Sequence, residues 1–269
     1  MSASIQISIE GDEATQELLI SNLSDLGAEG FEQTEDRLIA YFPEHSFKSY
    51  EVNEALTGYA YTTATVAEQN WNAVWESNFQ PVVIGKFCAV RADFHEPIEG
   101  LQHEIVITPK MSFGTGHHAT THMMIEQMEG IDFRGKTVFD FGTGTGILAI
   151  LAEKLGAASI TAIDVDDWSI ENTKENMVRN GCNRISVSRS AQLAAEQFDI
   201  VLANINRNVI LQYLPQLQAC LKGESLVLLS GLLVNDEEDI LLACKNEGMQ
   251  FVKRSERSNW ISLLFVKQL

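Results

Sequence analysis

The stretch Val138-Phe139-Asp140-Phe141-Gly142-Thr143-Gly144-Thr145-Gly146-Ile147 decides the fold: an apolar run breaks into three alternating glycines. It reads as a buried parallel strand that delivers the chain through a tight turn straight into a helix over 147–155. Glycine suits such a turn because it accepts positive φ and lets a ligand approach bare backbone. The next apolar run, Ile160 to Ile163, ends in the acid Asp164, 22 residues beyond Gly142. A carboxylate at the tip of the second strand suits the two hydroxyls of a ribose. Glycine turn and distal acid together imply a nucleoside cofactor.

Spacing narrows the cofactor only in part. The dinucleotide pattern G-x-G-x-x-G, read from Gly142, needs a glycine where Ile147 stands. Read from Gly144 it finds Gly146 and then Ala149, which the relaxed pattern allows, so a nicotinamide dinucleotide stays open. The D-x-G-x-G-x-G arrangement of Asp140 to Gly146 resembles the first motif of class I methyltransferases that use S-adenosylmethionine, where the glycines face the methionine part. A glycine-rich turn with no ligand is the plain alternative, and the spacing to Asp164 counts against it.

Working outward, runs at 137–141, 159–164, 185–188, 198–203 and 225–230 read as strands, with helical patterns at 147–155, 168–179, 207–221 and 236–247. Such alternation predicts a parallel sheet covered on both faces, with right-handed crossovers. The runs 249–253 and 260–266, joined by the polar stretch 254–259, have no helix between them and read as an antiparallel hairpin. A mostly parallel seven-stranded α/β sheet closed by such a hairpin is the class I methyltransferase (Rossmann-like) arrangement. Just ahead of it, 87–92 and 103–108 read as two antiparallel strands.

The N-terminal part keeps its own rhythm. Ser4 to Ile9 reads as a strand, Ala14 to Leu26 as a helix, 30–33 as a weak strand and Arg37 to Phe42 as another strand. A helical pattern over 47–56 and a β-branched run from Tyr61 to Val66 follow. This β-α-β-β-α-β order suggests a small ferredoxin-like α+β domain. It carries no glycine loop or catalytic constellation, so a recognition module is the natural reading. Trp71, Trp75 and Phe79 sit four apart and share one helix face, which reads as packing in a linker helix or as a hinge. The expected organisation is a recognition domain over 1–67, a linker helix over 68–80 and a catalytic domain over 81–269.

Composition bounds the partners. There are 37 acidic and 19 basic residues, a formal net charge of −18. A nucleic-acid enzyme presents a basic face to phosphates, and no basic cluster is visible, so direct nucleic-acid binding is not expected. An acidic surface favours a cationic partner such as a basic protein, or serves solubility alone. Cys88, Cys182, Cys220 and Cys244 lie far apart with no C-x-x-C pair, which suits a reducing cytosol. No apolar run approaches a membrane span and no basic-then-apolar signal opens the chain, so a cytoplasmic protein without membrane association is expected.

Two further stretches carry chemistry. Ser112 to Thr121 opens a helix running to about Met128, and small and hydroxyl residues surround its N-terminus, where free N–H groups can take an anion. Thr120 and Thr121 can bond a cofactor or cap the helix. His117, His118 and His122 invite a metal reading, but no H-E-x-x-H pattern or suitably placed carboxylate accompanies them, and no metal is expected. Phe198 to Ala203 reads as the fourth strand and ends in Asn204-Ile205-Asn206, at the edge where open α/β sheets bind ligands. Asn204 could orient an amine and touch the cofactor, or could cap the helix that starts near Arg207.

With these residues in place, the chain resembles the methyltransferases of protein L-eleven of the large ribosomal subunit over nearly its full length. The resemblance rests on G-T-G-x-H-x-T-T at 114–121, Asp140 to Gly146 with Asp164, and Ala203-Asn204-Ile205. It implies a protein N-methyltransferase that uses S-adenosylmethionine on lysine or N-terminal amines of that ribosomal protein. The N-terminal domain would recognise the substrate. The cofactor contacts it implies fall on Thr121, Gly142, Asp164 and Asn204, with Asn204 the catalytic candidate. The same fold would serve another protein, a small molecule or a nucleic acid as methyl acceptor. The chain departs from the residues usual in that family at His117, at Thr143-Gly144-Thr145, and at Asn206 and Arg207.

Overall fold

Isoleucines alternate with polar residues along Ser4–Glu10, and this two-residue period makes β1 a strand with one dry and one wet face. The computed structural model describes residues 4–34, 36–66, 80–108, 116–193 and 196–267. The chain divides into two units, Met1–Asn78 and Phe79–Leu269. In the first, β1 is followed by α1 (Glu13–Asp25), β2 (Gly30–Gln33), β3 (Arg37–Pro43), α2 (Ser49–Ala55) and β4 (Tyr61–Val66). Asp12 caps α1 by accepting the Thr15 amide at 3.0 Å. The sheet order is β2-β3-β1-β4, with every neighbouring pair antiparallel. Ile5, Ile7, Ile9, Leu38, Ala40 and Phe42 line its dry face and pack with Leu19, Leu23, Val52 and Leu56. The stretch with Trp71, Trp75 and Phe79 lies outside the described residues.

The second unit opens with a small sheet of β5 (Val82–Ile84), β6 (Cys88–Ala92) and β7 (His103–Ile107). β5 and β6 are antiparallel, but β6 and β7 run parallel, which corrects the antiparallel pair read from the sequence. The chain must therefore return along 93–102 before pairing, and a buried Arg91 pins that return. Its guanidinium donates to the carbonyls of Ala92 at 3.0 Å and His95 at 2.8 Å, and pairs with Glu104 at 2.8 Å. Glu104 also accepts the Ile98 amide at 3.0 Å.

The large sheet follows: α3 (Ala119–Met128), β8 (Thr137–Phe141), α4 (Ile147–Lys154), β9 (Ser159–Asp164), α5 (Asp167–Arg179), β10 (Ile185–Arg189), β11 (Phe198–Asn204), α6 (Arg207–Ala219), β12 (Leu221–Leu233), α7 (Glu237–Asn246), β13 (Met249–Arg257) and β14 (Trp260–Lys267). Its order is β10-β9-β8-β11-β12-β14-β13, parallel except where β14 meets its neighbours. Alternation sends Val138 to the layer of α3 and α4, and Phe139 to the layer of α6 and α7, so both faces are dry. Two boundaries differ from the sequence reading. The helix expected over 207–221 stops at Ala219, because Phe198 donates to the Cys220 carbonyl at 2.7 Å and draws Leu221 into the ladder. The polar residues 254–257 belong to β13, and only Ser258 and Asn259 turn, both at positive φ (50° and 65°), as a two-residue hairpin loop demands.

Side chains of α5 finish the architecture. Asn180 accepts the Val106 amide at 3.0 Å and donates to its carbonyl at 2.7 Å, while Asn176 accepts the Thr108 amide at 2.8 Å. The helix thereby satisfies the outer edge of β7 as another strand would. Asn176 also donates to the Thr145 carbonyl at 2.8 Å, tying that edge to the glycine turn. At the opposite end of the large sheet, Asp199 binds the Thr137 amide at 2.8 Å and the Lys222 ammonium at 2.9 Å.

Candidate active site

At the end of β8 the amides of Gly142 and Thr143 both donate to the Ile163 carbonyl, at 2.9 and 3.0 Å, folding the turn back over β9. Gly142, Gly144 and Gly146 all hold positive φ, at 78°, 56° and 78°. A β-carbon at Gly142 would stand 2.4 Å from Ile205 Cγ2, and one at Gly146 would stand 2.7 Å from Thr173 Cγ2. Packing alone thus demands glycine at 142 and 146. Thr173 completes the turn by donating to the Gly144 carbonyl at 2.9 Å. Beneath it, Asp140 is fully buried, and burial pushes its carboxyl up to about 7 although the Thr143 hydroxyl donates to it at 2.6 Å.

Asp164 ends β9 with both oxygens engaged: one accepts the Gly144 amide at 2.9 Å, the other the Asp166 amide at 3.1 Å. Each oxygen keeps a further lone pair for a hydroxyl. Across the sheet, Asn204 ends β11 and donates to the Thr121 hydroxyl at 3.1 Å. Thr121 is buried in the first turn of α3, beside Thr120 and the capping His118. The Asn204 amide therefore joins two sequence signatures that lie 83 positions apart.

These groups converge on one cavity of about 620 Å³ at the C-terminal ends of β8, β9 and β11. Thr121, Gly142, Asp164 and Asn204 all stand in its wall. The model of the family described as "Ribosomal protein L11 methyltransferase (PrmA)" matches residues 4–268.

The chain belongs to the ribosomal protein L11 methyltransferase family.

Two relatives of that name match it along nearly the full length of both chains. The Phocaeicola vulgatus protein is 38% identical over 266 residues, covering 95% of each chain. The Porphyromonas gingivalis protein is 39% identical over 264 residues, 94% of this chain and 91% of its own. The crystal structure of a ribosomal protein L11 methylase from Lactobacillus delbrueckii subsp. bulgaricus, 29% identical, superposes with a TM-score of 0.66. The match covers 71% of this chain and all of that one.

This L11 methyltransferase family member also places residues in the cavity wall that the sequence did not single out. Trp260 follows the hairpin turn, and its ring meets His118 edge-on at 4.7 Å. Trp168 and Val165 flank Asp164 from the exposed side. Gly231 lies where a β-carbon would come within 2.2 Å of the Ile205 carbonyl oxygen, so Ile205 is held between two glycines. The helix cap suggested for Asn204 belongs to Asn206, whose side chain accepts the Val209 amide at 3.1 Å. The three histidines take separate partners: His117 the Gln80 carbonyl, His118 the Thr120 hydroxyl and His122 the Arg257 guanidinium. Among the described residues, no three His, Cys, Asp or Glu side chains gather as a metal site.

Proposed function

We propose that Thr121, Gly142, Asp164 and Asn204 hold S-adenosylmethionine in this cavity, and that Asn204 also orients lysine or N-terminal amines of ribosomal protein L11 for methylation. The Asn204–Thr121 bond carries the assignment, because it fixes a polar amide opposite the pinned carboxylate of Asp164 within one cavity. The donor set fits the cofactor: spare lone pairs on Asp164 suit a ribose diol, Val165 and Trp168 offer apolar surface to a base, and the glycine turn leaves bare backbone beside Asn204.

S-adenosylmethionine supplies a methyl group already activated on a sulfonium, so the protein's task is alignment. A lysine ammonium, with an ordinary pKa of about 10.4, must shed its proton before it can attack. The apolar wall around Phe141, Ile205 and Trp260 disfavours the charged amine, which lowers the cost of that loss. The Asn204 amide donates to Thr121, which leaves its carbonyl as an acceptor for an amine N–H. The first unit, in which residues 1–66 hold 12 acidic and 2 basic residues, recognises the basic protein substrate. A cytoplasmic location follows from that partner; among the described residues no helix is long and apolar enough to cross a membrane.

Incubating the chain with labelled S-adenosylmethionine and unmethylated ribosomal proteins tests the reading. Label should enter L11 on lysine or N-terminal amines. Label in another protein, in RNA or in a small molecule alone would overturn it.

A further inference from the structure

Each sheet edge has unpaired backbone groups that another strand could take, and proteins normally blunt them. In this chain the edges differ sharply. β2 is only four residues long and carries Glu32, and β5 is only three residues long. β7 is covered by the amides of Asn176 and Asn180. β10 ends in Arg189, and β13 is broken by a register shift between Phe251 and Lys253 and carries Lys253, Arg254, Glu256 and Arg257. β4, Tyr-Thr-Thr-Ala-Thr-Val, has no charge, no proline and no bulge, and keeps a regular six-residue register with β1, its one neighbour among the described residues. Thr62, Thr63, Ala64 and Thr65 are all exposed.

The ladder shows which groups face outward. Glu10 donates to the Ala60 carbonyl, so the directly bonded pairs with β1 continue at Thr62 and Ala64. The N–H and C=O groups of Thr63 and Thr65 therefore point away from the sheet. We propose that this edge of β4 receives an extended, lysine- or arginine-bearing segment of the protein substrate as a fifth strand. Backbone pairing supplies the register. Charge selects the occupant: residues 1–66 carry 12 acidic side chains against 2 basic ones, which repels a second copy of this unit and attracts a cationic segment. The proposal rests on the recognition role given above to the first unit.

Hydrogen exchange on the full-length chain, with and without unmethylated L11, is the test. In the complex the amides of Thr63 and Thr65 should slow at least tenfold, while those of Thr62 and Ala64, already paired with β1, change little. Thr63→Pro, which removes one outward N–H and spares the β1 ladder, should weaken binding of L11 about tenfold and leave S-adenosylmethionine affinity within twofold. Higher salt should weaken the wild-type complex. Unchanged exchange at Thr63 and Thr65 in a chain that binds and methylates L11 would overturn the edge and spare the functional reading. A chain that neither binds nor methylates L11 overturns both. Concentration-dependent protection of these amides in the free chain would mean that a second copy closes the edge, and also overturns the proposal.

Discussion

On the function proposed above, the two units of this chain meet their partners in opposite ways. The second holds its chemistry inside: a cavity at the strand ends, whose amide, hydroxyl and carboxylate are each pinned by another part of the fold. The first is dominated by one sign of charge: 12 acidic and 2 basic residues over 1–66, against 25 and 17 over the remaining 203. A small activated cofactor needs fixed groups at short range, whereas a protein partner needs long-range attraction and a broad surface. The contrast teaches that alignment and capture are separable here, and each can be attacked alone.

The sharpest break is to remove capture. Deleting residues 1–67 should abolish methylation of L11 while cofactor affinity stays nearly intact, because every cavity residue lies beyond position 116. Calorimetry with S-adenosylmethionine run beside the activity assay shows whether the remaining unit is folded. Normal turnover on the ribosomal protein would erase the division of labour.

Next comes alignment. Asn204→Ala should lower kcat/KM about 10²-fold, from the ~2.7–4 kcal/mol of a lost transition-state contact, with little change in thermal stability. Asn206→Ala should do the reverse and cost about 1 kcal/mol of stability, as loss of a helix cap does. If the two variants exchange behaviours, the roles drawn from their hydrogen bonds are wrong. Asp164→Ala should weaken cofactor binding by one to two orders of magnitude, from hydrogen bonds to a charged acceptor at ~1.5–3 kcal/mol each. Because Asp164 also anchors the Gly144 amide, some loosening of the turn adds to that loss.

The smallest effect concerns the far end of the large sheet. Burial alone would raise the Asp199 carboxyl, but the Thr137 amide and hydroxyl and the Lys222 ammonium outweigh it and hold it at about 2. A carboxyl depressed below its unfolded value of about 3.9 adds stability above that pH and loses it as pH falls through the folded value. The melting temperature should therefore drop between about pH 4 and pH 2, and Asp199→Asn should flatten that part of the profile. An unchanged slope in the variant would move the acid sensitivity to other carboxylates.

Much of this was legible from residue chemistry. Strand, glycine turn and acid at Asp140 to Asp164 each have a local physical cause, and they appear where the sequence puts them. Pairing direction was not legible. The apolar pattern of 88–92 and 103–107 fits strands that run together or opposed, and the contacts of Arg91 with His95 and Glu104 that accompany the parallel pairing form only once the chain has folded back. The cap was ambiguous for a similar reason. Asn204 and Asn206 are chemically identical, and only the backbone at the end of β11 decides which one faces the free amides of α6. Trp168 and Trp260 were invisible as wall residues because an aromatic side chain carries no sign of the cavity it borders.

The amide grip at the end of α5 also shields a chemically fragile pair of residues. Asn180 is followed by Gly181, a pair prone to deamidation because glycine leaves its amide nitrogen free to attack the side-chain carbonyl. In the folded chain that side chain is gripped by Val106 on both sides and by the Asn176 carbonyl at 2.8 Å, which keeps it from the geometry of attack. Once aged to aspartate, it would press a carboxylate against two carbonyl oxygens it formerly served. A chain in which that grip failed would therefore lose the cover on β7, and the edge that Asn176 and Asn180 hide would open to solvent.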